Sequence, residues 1–119
     1  MPRTSDDPQP AAHFDLATTL VHLPGPGGER FVQVFRHGTL EVELYAPVGT
    51  DTQQPHTRDE AYVVVRGHGV FFDGESRQPC GPGTFLFVRA GRVHRFEDFS
   101  HDFAVWVLFY GPEGGEIRG

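Results

Sequence analysis

The chain lacks the features that define several large classes of protein. It has a single cysteine, Cys80, so neither an internal disulfide nor a thiolate-based structural metal site can form. No apolar run approaches the ~18 residues that a membrane-spanning helix needs, and the N-terminus has no apolar signal-peptide core. These absences predict a protein that resides in the cytoplasm.

Positive charge is also scarce. The chain has 10 basic and 16 acidic side chains, which gives a formal net charge of −6. This balance disfavours non-specific binding to the nucleic-acid backbone or to anionic lipid. We therefore expect small-molecule ligands, and we expect neither a nucleic-acid nor a membrane partner.

The length of 119 residues predicts one domain, and the apolar fraction of 38% and charged fraction of 22% are ordinary for a globular protein. The start of the chain is rich in Pro and Asp and has almost no large apolar side chain. We predict a flexible segment over residues 1–12, a folded domain over 13–112 and a flexible tail over 113–119.

From Glu29 onward the sequence favours β-structure, whereas only residues 13–23 have a spacing that permits a short helix. The segment Phe103–Tyr110 is apolar on both faces, so we expect a second sheet or a partner subunit to cover its outer face. Seven or eight short strands with close turn signals predict an all-β barrel or sandwich. The predicted strands cover residues 31–35, 40–45, 61–65, 69–72, 84–88, 93–96 and 103–110.

Four side chains next to predicted strands carry the chemistry. Gln54, His56, Glu60 and His94 offer an amide, two imidazoles and a carboxylate. Imidazole and carboxylate together are the ligands of a divalent transition metal that stays reactive. On an extended strand alternate residues share a face, so Gln54 is expected to point with His56, and Glu60 with Tyr62.

Two spaced motifs contain these residues. The first has Gly49, Gln54-Pro55-His56, Glu60 and Gly67, and the second has Gly83, Arg89-Ala90-Gly91, His94 and Asp98. Over roughly residues 30–110 the chain resembles the cupin superfamily, specifically small single-domain proteins with a type-2 conserved barrel. The family pattern has His-x-His before the Glu, and Pro-x-Gly before the second-motif His and an Asn.

The resemblance implies a jelly-roll β-barrel (a double-stranded β-helix), a homodimer, and a metal held by His56, Glu60 and His94. Gln54 stands where the family has its first metal histidine, and its neutral amide oxygen would be a weaker ligand. Arg89 replaces the motif proline and Asp98 the motif asparagine. An alternative is a barrel that no longer holds a metal.

Two histidines and one carboxylate are also the ligand set of non-haem Fe(II) oxygenases, and sequence does not distinguish Fe from Mn, Ni or Zn. One function is therefore a metal-dependent enzyme of the oxygenase, isomerase or lyase class acting on a small organic substrate. The alternative is a non-catalytic cupin that binds or senses a small molecule, with or without metal.

Two further side chains are predicted to line the ligand pocket. Arg58 could hold a substrate carboxylate, or it could form a salt bridge with Asp59 or another acid. Tyr62 projects with Glu60, although such a tyrosine is often a core residue with a satisfied hydroxyl. Neither is a compelling general acid or base, so the catalytic residues stay unassigned.

Overall fold

The computed structural model describes residues 10–117. Most of the predicted flexible segment 1–12 and the last two residues of the predicted tail 113–119 lie outside that range. Within it, no helix is both long and apolar enough to cross a membrane. The elements are α1 (Leu16–Leu20), β1 (Phe31–His37), β2 (Leu40–Tyr45), β3 (Asp59–Arg66), β4 (Gly69–Phe72), β5 (Arg77–Cys80), β6 (Phe85–Val88), β7 (Arg95–Glu97) and β8 (Ala104–Tyr110).

The strands form two antiparallel sheets that face each other. The larger sheet has the order β1-β2-β8-β3-β6, and the smaller has the order β5-β4-β7. This confirms the predicted all-β fold with one short helix. Strand β5 was missing from the sequence prediction because Arg-Gln-Pro-Cys has little β-propensity. It is a strand because it pairs with β4 along its length, from Gly69 opposite Cys80 to Phe72 opposite Arg77.

The hydrophobic core lies between the two sheets. Tyr62 and Val64 of β3 and Val105 and Val107 of β8 point inward from the larger sheet, and all four are almost fully buried. They pack against aromatic rings, including Phe71 and Phe96 of the smaller sheet and Phe103, which precedes β8. Edge-on ring contacts, such as Tyr62 against Phe96 with centroids 5.0 Å apart, fill the interior.

The outer face of the larger sheet is covered by the chain itself. Helix α1 begins at the N-cap Asp15, whose side chain accepts a hydrogen bond from the backbone N–H of Thr18. Apolar side chains of α1 and the segment after it pack, together with Trp106 of β8, against Leu44, Ala46 and Ala104. The cover that was expected from a second sheet or a partner therefore comes, over this part of β8, from the N-terminal helix.

This cover decides which face of β2 points inward. Leu44 is fully buried under α1, so the alternate residues Glu43 and Tyr45 face the interior of the barrel. The register places Glu43 opposite Val107, which in turn lies opposite Tyr62. Glu43, which alternation alone would assign to solvent, thus lines the interior, whereas Glu41 near the end of the strand pairs with Arg36 and Arg58.

Asp59 fixes the chain immediately before Glu60. Its carboxylate accepts hydrogen bonds from the backbone N–H groups of Glu116 and Ala90, each at 2.9 Å. These two bonds lower the pKa of Asp59, despite the opposing effect of desolvation. The start of β3 is thereby tied to the C-terminal segment and to the turn before His94, while the flexibility of 113–119 stays a prediction.

Candidate metal centre

Three of the predicted ligands meet at one end of the barrel interior. Glu60 is the second residue of β3, His94 immediately precedes β7, and His56 lies in the loop before β3. Glu60 Oε1 lies 2.9 Å from His94 Nε2 and 3.8 Å from His56 Nε2. One ligand atom from each of the three residues lies within 4.8 Å of the others, which is close enough for all to contact one metal ion.

The burial of Glu60 tests whether this donor set fits a metal. Glu60 is 1% exposed and His94 is 3% exposed. Among the described residues neither carboxylate oxygen of Glu60 makes a regular hydrogen bond, and Oε1 has an ion-pair contact of 2.9 Å with His94 Nε2. An ionised carboxylate buried without partners costs several kcal/mol. A divalent cation bound between Glu60 and the two imidazoles would remove that cost, so the residues fit the metal.

The ring of His94 is oriented for this role. Its Nδ1 lies 2.8 Å from the carbonyl oxygen of Arg92, which can only accept, so Nδ1 carries a proton and Nε2 faces Glu60. Burial acts to lower the pKa of His94, but its contacts with Glu60 and the Arg92 carbonyl outweigh burial and raise the pKa overall. Because a metal ligand must be deprotonated, metal and proton compete for Nε2.

Tyr62 lies on the cavity wall in contact with the cluster. Its hydroxyl is 3.0 Å from His94 Nε2 and 3.0 Å from Gln53 Oε1. Burial, followed by the charge of Glu60, raises the pKa of Tyr62 well above its ordinary value. The phenol therefore stays protonated and acts as a hydrogen-bond donor.

The other two predicted residues lie at the edge of the site. Arg58 forms an ion pair with Glu41, with Nη2 3.3 Å from Oε2, and it borders a shallow depression beside His56. The acid that it contacts is thus Glu41 and not Asp59. Gln54 is exposed at the rim of the main cavity, and its amide hydrogen-bonds the backbone of Thr52 at 3.5 Å.

Gln53, which the sequence analysis did not single out, is the glutamine that reaches the cluster. Its Oε1 lies 3.4 Å from His56 Nε2. The expectation that Gln54 points with His56 assumed an extended strand. Residues 46–58 form an irregular loop instead, so alternation does not apply there. The motif spacing carried no signal for Gln53.

A cavity of about 540 Å³ opens onto the cluster. Its wall combines apolar groups, such as Val107 and Phe109, with Glu43 and Tyr45 of β2. Burial is the main cause that raises the pKa of Glu43 to about 7, with the charges of Glu60 and Glu41 adding to it. Sequence reasoning missed Glu43, although the strict apolar–acidic alternation of β2 marked it as one of two acids on a single face.

Comparison with known proteins agrees with this fold. The cupin domain model matches residues 41–110, more than half of the chain. An uncharacterized protein of Streptomyces coelicolor is 38% identical over 85 residues, covering 70% of this chain and 81% of that protein. KdgF from a Halomonas species superposes with a TM-score of 0.61 at 19% identity, covering 70% of this chain and 78% of that chain. DMSP lyase DddQ from Ruegeria pomeroyi has a TM-score of 0.59 at 23% identity, covering 75% of this chain and 51% of that chain.

Proposed function

The chain belongs to the cupin domain family, and on this basis we propose that it is a metal-dependent enzyme acting on a small organic substrate inside the barrel. The ligands of the metal are His56, Glu60 and His94. Gln54, the fourth predicted ligand, lies exposed at the rim of the cavity. The reaction belongs to the oxygenase, isomerase or lyase class.

One observation carries this proposal: the carboxylate of Glu60 is buried and lacks a hydrogen-bond partner where two imidazoles and a cavity meet. A buried carboxylate in a purely structural role would be expected to have hydrogen-bond donors around it. Here the imidazole nitrogens of His94 and His56 lie 2.9 Å and 3.8 Å from Glu60 Oε1, and imidazole nitrogens are metal ligands. The cavity leaves the His56 side of the cluster accessible to a small molecule.

A divalent metal at this place would polarise a substrate oxygen as a Lewis acid. The residues of the chain would supply the remaining functions. Val107 and Phe109 form an apolar part of the cavity wall. Tyr62 offers a neutral hydroxyl, and Glu43 offers a carboxyl group that can accept or donate a proton near neutral pH.

Glu43 is the observation that favours an enzyme over a non-catalytic binding or sensing protein. A general acid or base works best when its pKa lies near the operating pH, and the pKa of Glu43 is about 7. It also lies on the same cavity wall as the cluster.

The test is a substrate screen with a catalytic control. Metal-loaded and metal-free protein are incubated with small organic acids, sugar phosphates and DMSP, the compound in the name of one structural neighbour, and products are followed by NMR. We expect conversion of at least one compound that requires metal and that Glu43→Gln slows while the compound still binds. Binding without conversion across the panel would instead establish the non-catalytic alternative.

The homodimer and the cytoplasmic location stay predictions. Phe85 and Phe87 on the edge strand β6 are exposed by 64% and 47%, and a second subunit would cover them. Size-exclusion chromatography with light scattering at micromolar concentration measures this, and a monomer would contradict the dimer.

A further inference from the structure

Two adjacent glutamines in the loop between β2 and β3 have different surroundings. Gln54 is exposed and bonds to the loop backbone. The side chain of Gln53 turns inward, where its Oε1 accepts a hydrogen bond from Tyr62 at 3.0 Å and lies 3.4 Å from His56 Nε2. We propose that Gln53, through Oε1, is a further ligand of the metal and takes the role that the motif assigns to Gln54. This inference rests on the metal site proposed above.

The hydrogen bond made by the amide nitrogen of Gln53 determines the orientation of its side-chain amide. Its Nε2 lies 2.6 Å from Oδ2 of Asp51. An ionised carboxylate can only accept hydrogen bonds, so the amide NH₂ must face Asp51. The amide oxygen then points the other way, toward the cluster, where it accepts from the Tyr62 hydroxyl and contacts His56 Nε2. When His56 Nε2 carries no proton, as a metal ligand requires, the second lone pair of this oxygen is available to the metal.

Asp51 is itself held in place by groups from three parts of the fold. Besides the Gln53 amide, it accepts hydrogen bonds from the Tyr45 hydroxyl of β2 at 2.5 Å, from the Phe96 N–H of β7 at 2.8 Å and from the Gln53 N–H at 3.2 Å. Burial, and then the bond to Asp51, raises the pKa of Tyr45, so its hydroxyl keeps its proton and donates. Asp51 is therefore a positioning residue that presents Gln53 to the site.

The distances among the donor atoms agree with a shared metal. Donor atoms that each lie about 2.0–2.2 Å from one metal are roughly 2.8–3.6 Å from their neighbours. The Gln53 Oε1 to His56 Nε2 distance of 3.4 Å and the His94 Nε2 to Glu60 Oε1 distance of 2.9 Å fall in this range. The His56 Nε2 to Glu60 Oε1 distance of 3.8 Å is slightly longer, so the His56 ring would move toward Glu60 when a metal binds. A neutral amide adds an oxygen ligand without adding charge, so the site would hold two nitrogen and two oxygen donors.

The experiment compares the two glutamines directly. Co²⁺ is titrated into metal-free wild type, Gln53→Leu and Gln54→Leu, and binding is followed by the visible absorption of the ion, whose intensity and shape report its ligands. We expect Gln53→Leu to bind Co²⁺ at least tenfold more weakly and with an altered spectrum. The matched variant Gln54→Leu should behave as wild type, because its side chain is exposed at the cavity rim.

Two additional variants separate ligand loss from misfolding. Gln53→Asn keeps the amide but is too short to reach both Asp51 and the cluster, so it should also lose affinity. Asp51→Asn removes the fixed orientation of Gln53, and we expect weaker binding and an altered Co²⁺ spectrum while metal-free thermal unfolding confirms that the variant is folded.

The outcomes distinguish this inference from the proposed function. Unchanged affinity and spectrum in folded Gln53→Leu and Gln53→Asn would overturn the role of Gln53 while leaving the three-residue site intact. Loss of Co²⁺ affinity in Gln54→Leu alone would show that Gln54, and not Gln53, is the further metal ligand. Failure of wild type to bind Co²⁺ would overturn both.

Discussion

Replacing Glu60 by Gln should change stability in opposite directions with and without metal. In the metal-free protein Glu60→Gln removes a carboxylate that is 1% exposed and has no hydrogen-bond partner. Leaving a buried charge uncompensated costs about 3–5 kcal/mol. The nearby His94 offsets part of this cost when it is protonated. The pKa of His94 is raised, so this offset disappears only as pH rises above the range of an ordinary histidine. Once the His94 proton is lost, we expect the metal-free variant to be about 1–2 kcal/mol more stable than wild type.

Bound metal should reverse this order, so that wild type becomes more stable than Glu60→Gln. An ion present at about 100 times its dissociation constant stabilises the folded state by ~2.7 kcal/mol. In a domain of this size 1 kcal/mol shifts the melting temperature by about 3–6 °C, so wild type should gain roughly 8–16 °C. Glu60→Gln loses the only carboxylate of the cluster and should gain little.

Thermal unfolding followed by circular dichroism, in EDTA and in excess Zn²⁺ or Mn²⁺, measures both states. Glu75→Gln is the control, because the Glu75 side chain is 79% exposed and its removal should leave both melting temperatures unchanged. If Glu60→Gln melts below wild type in EDTA, the Glu60 carboxylate stabilises the metal-free fold, which would contradict the prediction. If metal shifts the variant as much as wild type, Glu60 is not a ligand.

Two further predictions concern the cavity wall and the outer face of the sheet. The folded-state pKa of Glu43, about 7 against an ordinary 4.5, means that wild type loses stability as pH rises from below 4.5 through 7. A pKa raised from 4.5 to about 7 corresponds to at most about 3.4 kcal/mol, and the partial exposure of Glu43 reduces this to roughly 1–3 kcal/mol. Urea unfolding at pH 5 and pH 8 should show this loss in metal-free wild type but not in Glu43→Gln. An equal change in the free energy of unfolding between the two pH values in both proteins would refute the prediction. Leu44→Ala should cost about 2–5 kcal/mol in the same assay, because Leu44 is fully buried under α1. Val48→Ala, at a site 45% exposed, should cost little, and equal losses in the two variants would contradict the packing.

The fold was predictable because β-propensity, turn residues and two motifs agreed along most of the chain. Strand β5 could not be predicted, since the partner strand β4 and not its own residues makes Arg77–Cys80 extended. The orientation of β2, that is, which of its faces points inward, could not be predicted from the sequence either. Alternation in Glu41–Leu44 separates an apolar face from an acidic face, but it does not say which of the two lies inside the barrel. The packing of α1 on Leu44 covers the apolar face from outside and so places Glu43 inside.

The candidate site was predictable to the extent that motif spacing determines it. The structure brings together His56, Glu60 and His94 because the start of β3 and the turn before β7 lie side by side. Gln53 and Gln54 are neighbours in sequence, and no periodicity applies in an irregular loop. The difference between them depends on Asp51, whose hydrogen bonds to Tyr45 and Phe96 form only when the sheets assemble.

The most direct test of the central claim is the metal content of the protein. Protein purified without added metal, or reconstituted and then desalted, is analysed by elemental mass spectrometry beside His56→Ala and the exposed-site control His101→Ala. We predict about one divalent transition-metal ion per chain in wild type and in His101→Ala, and far less in folded His56→Ala. Wild type without metal after reconstitution, or His56→Ala with as much metal as wild type, would contradict a metal centre at His56, Glu60 and His94.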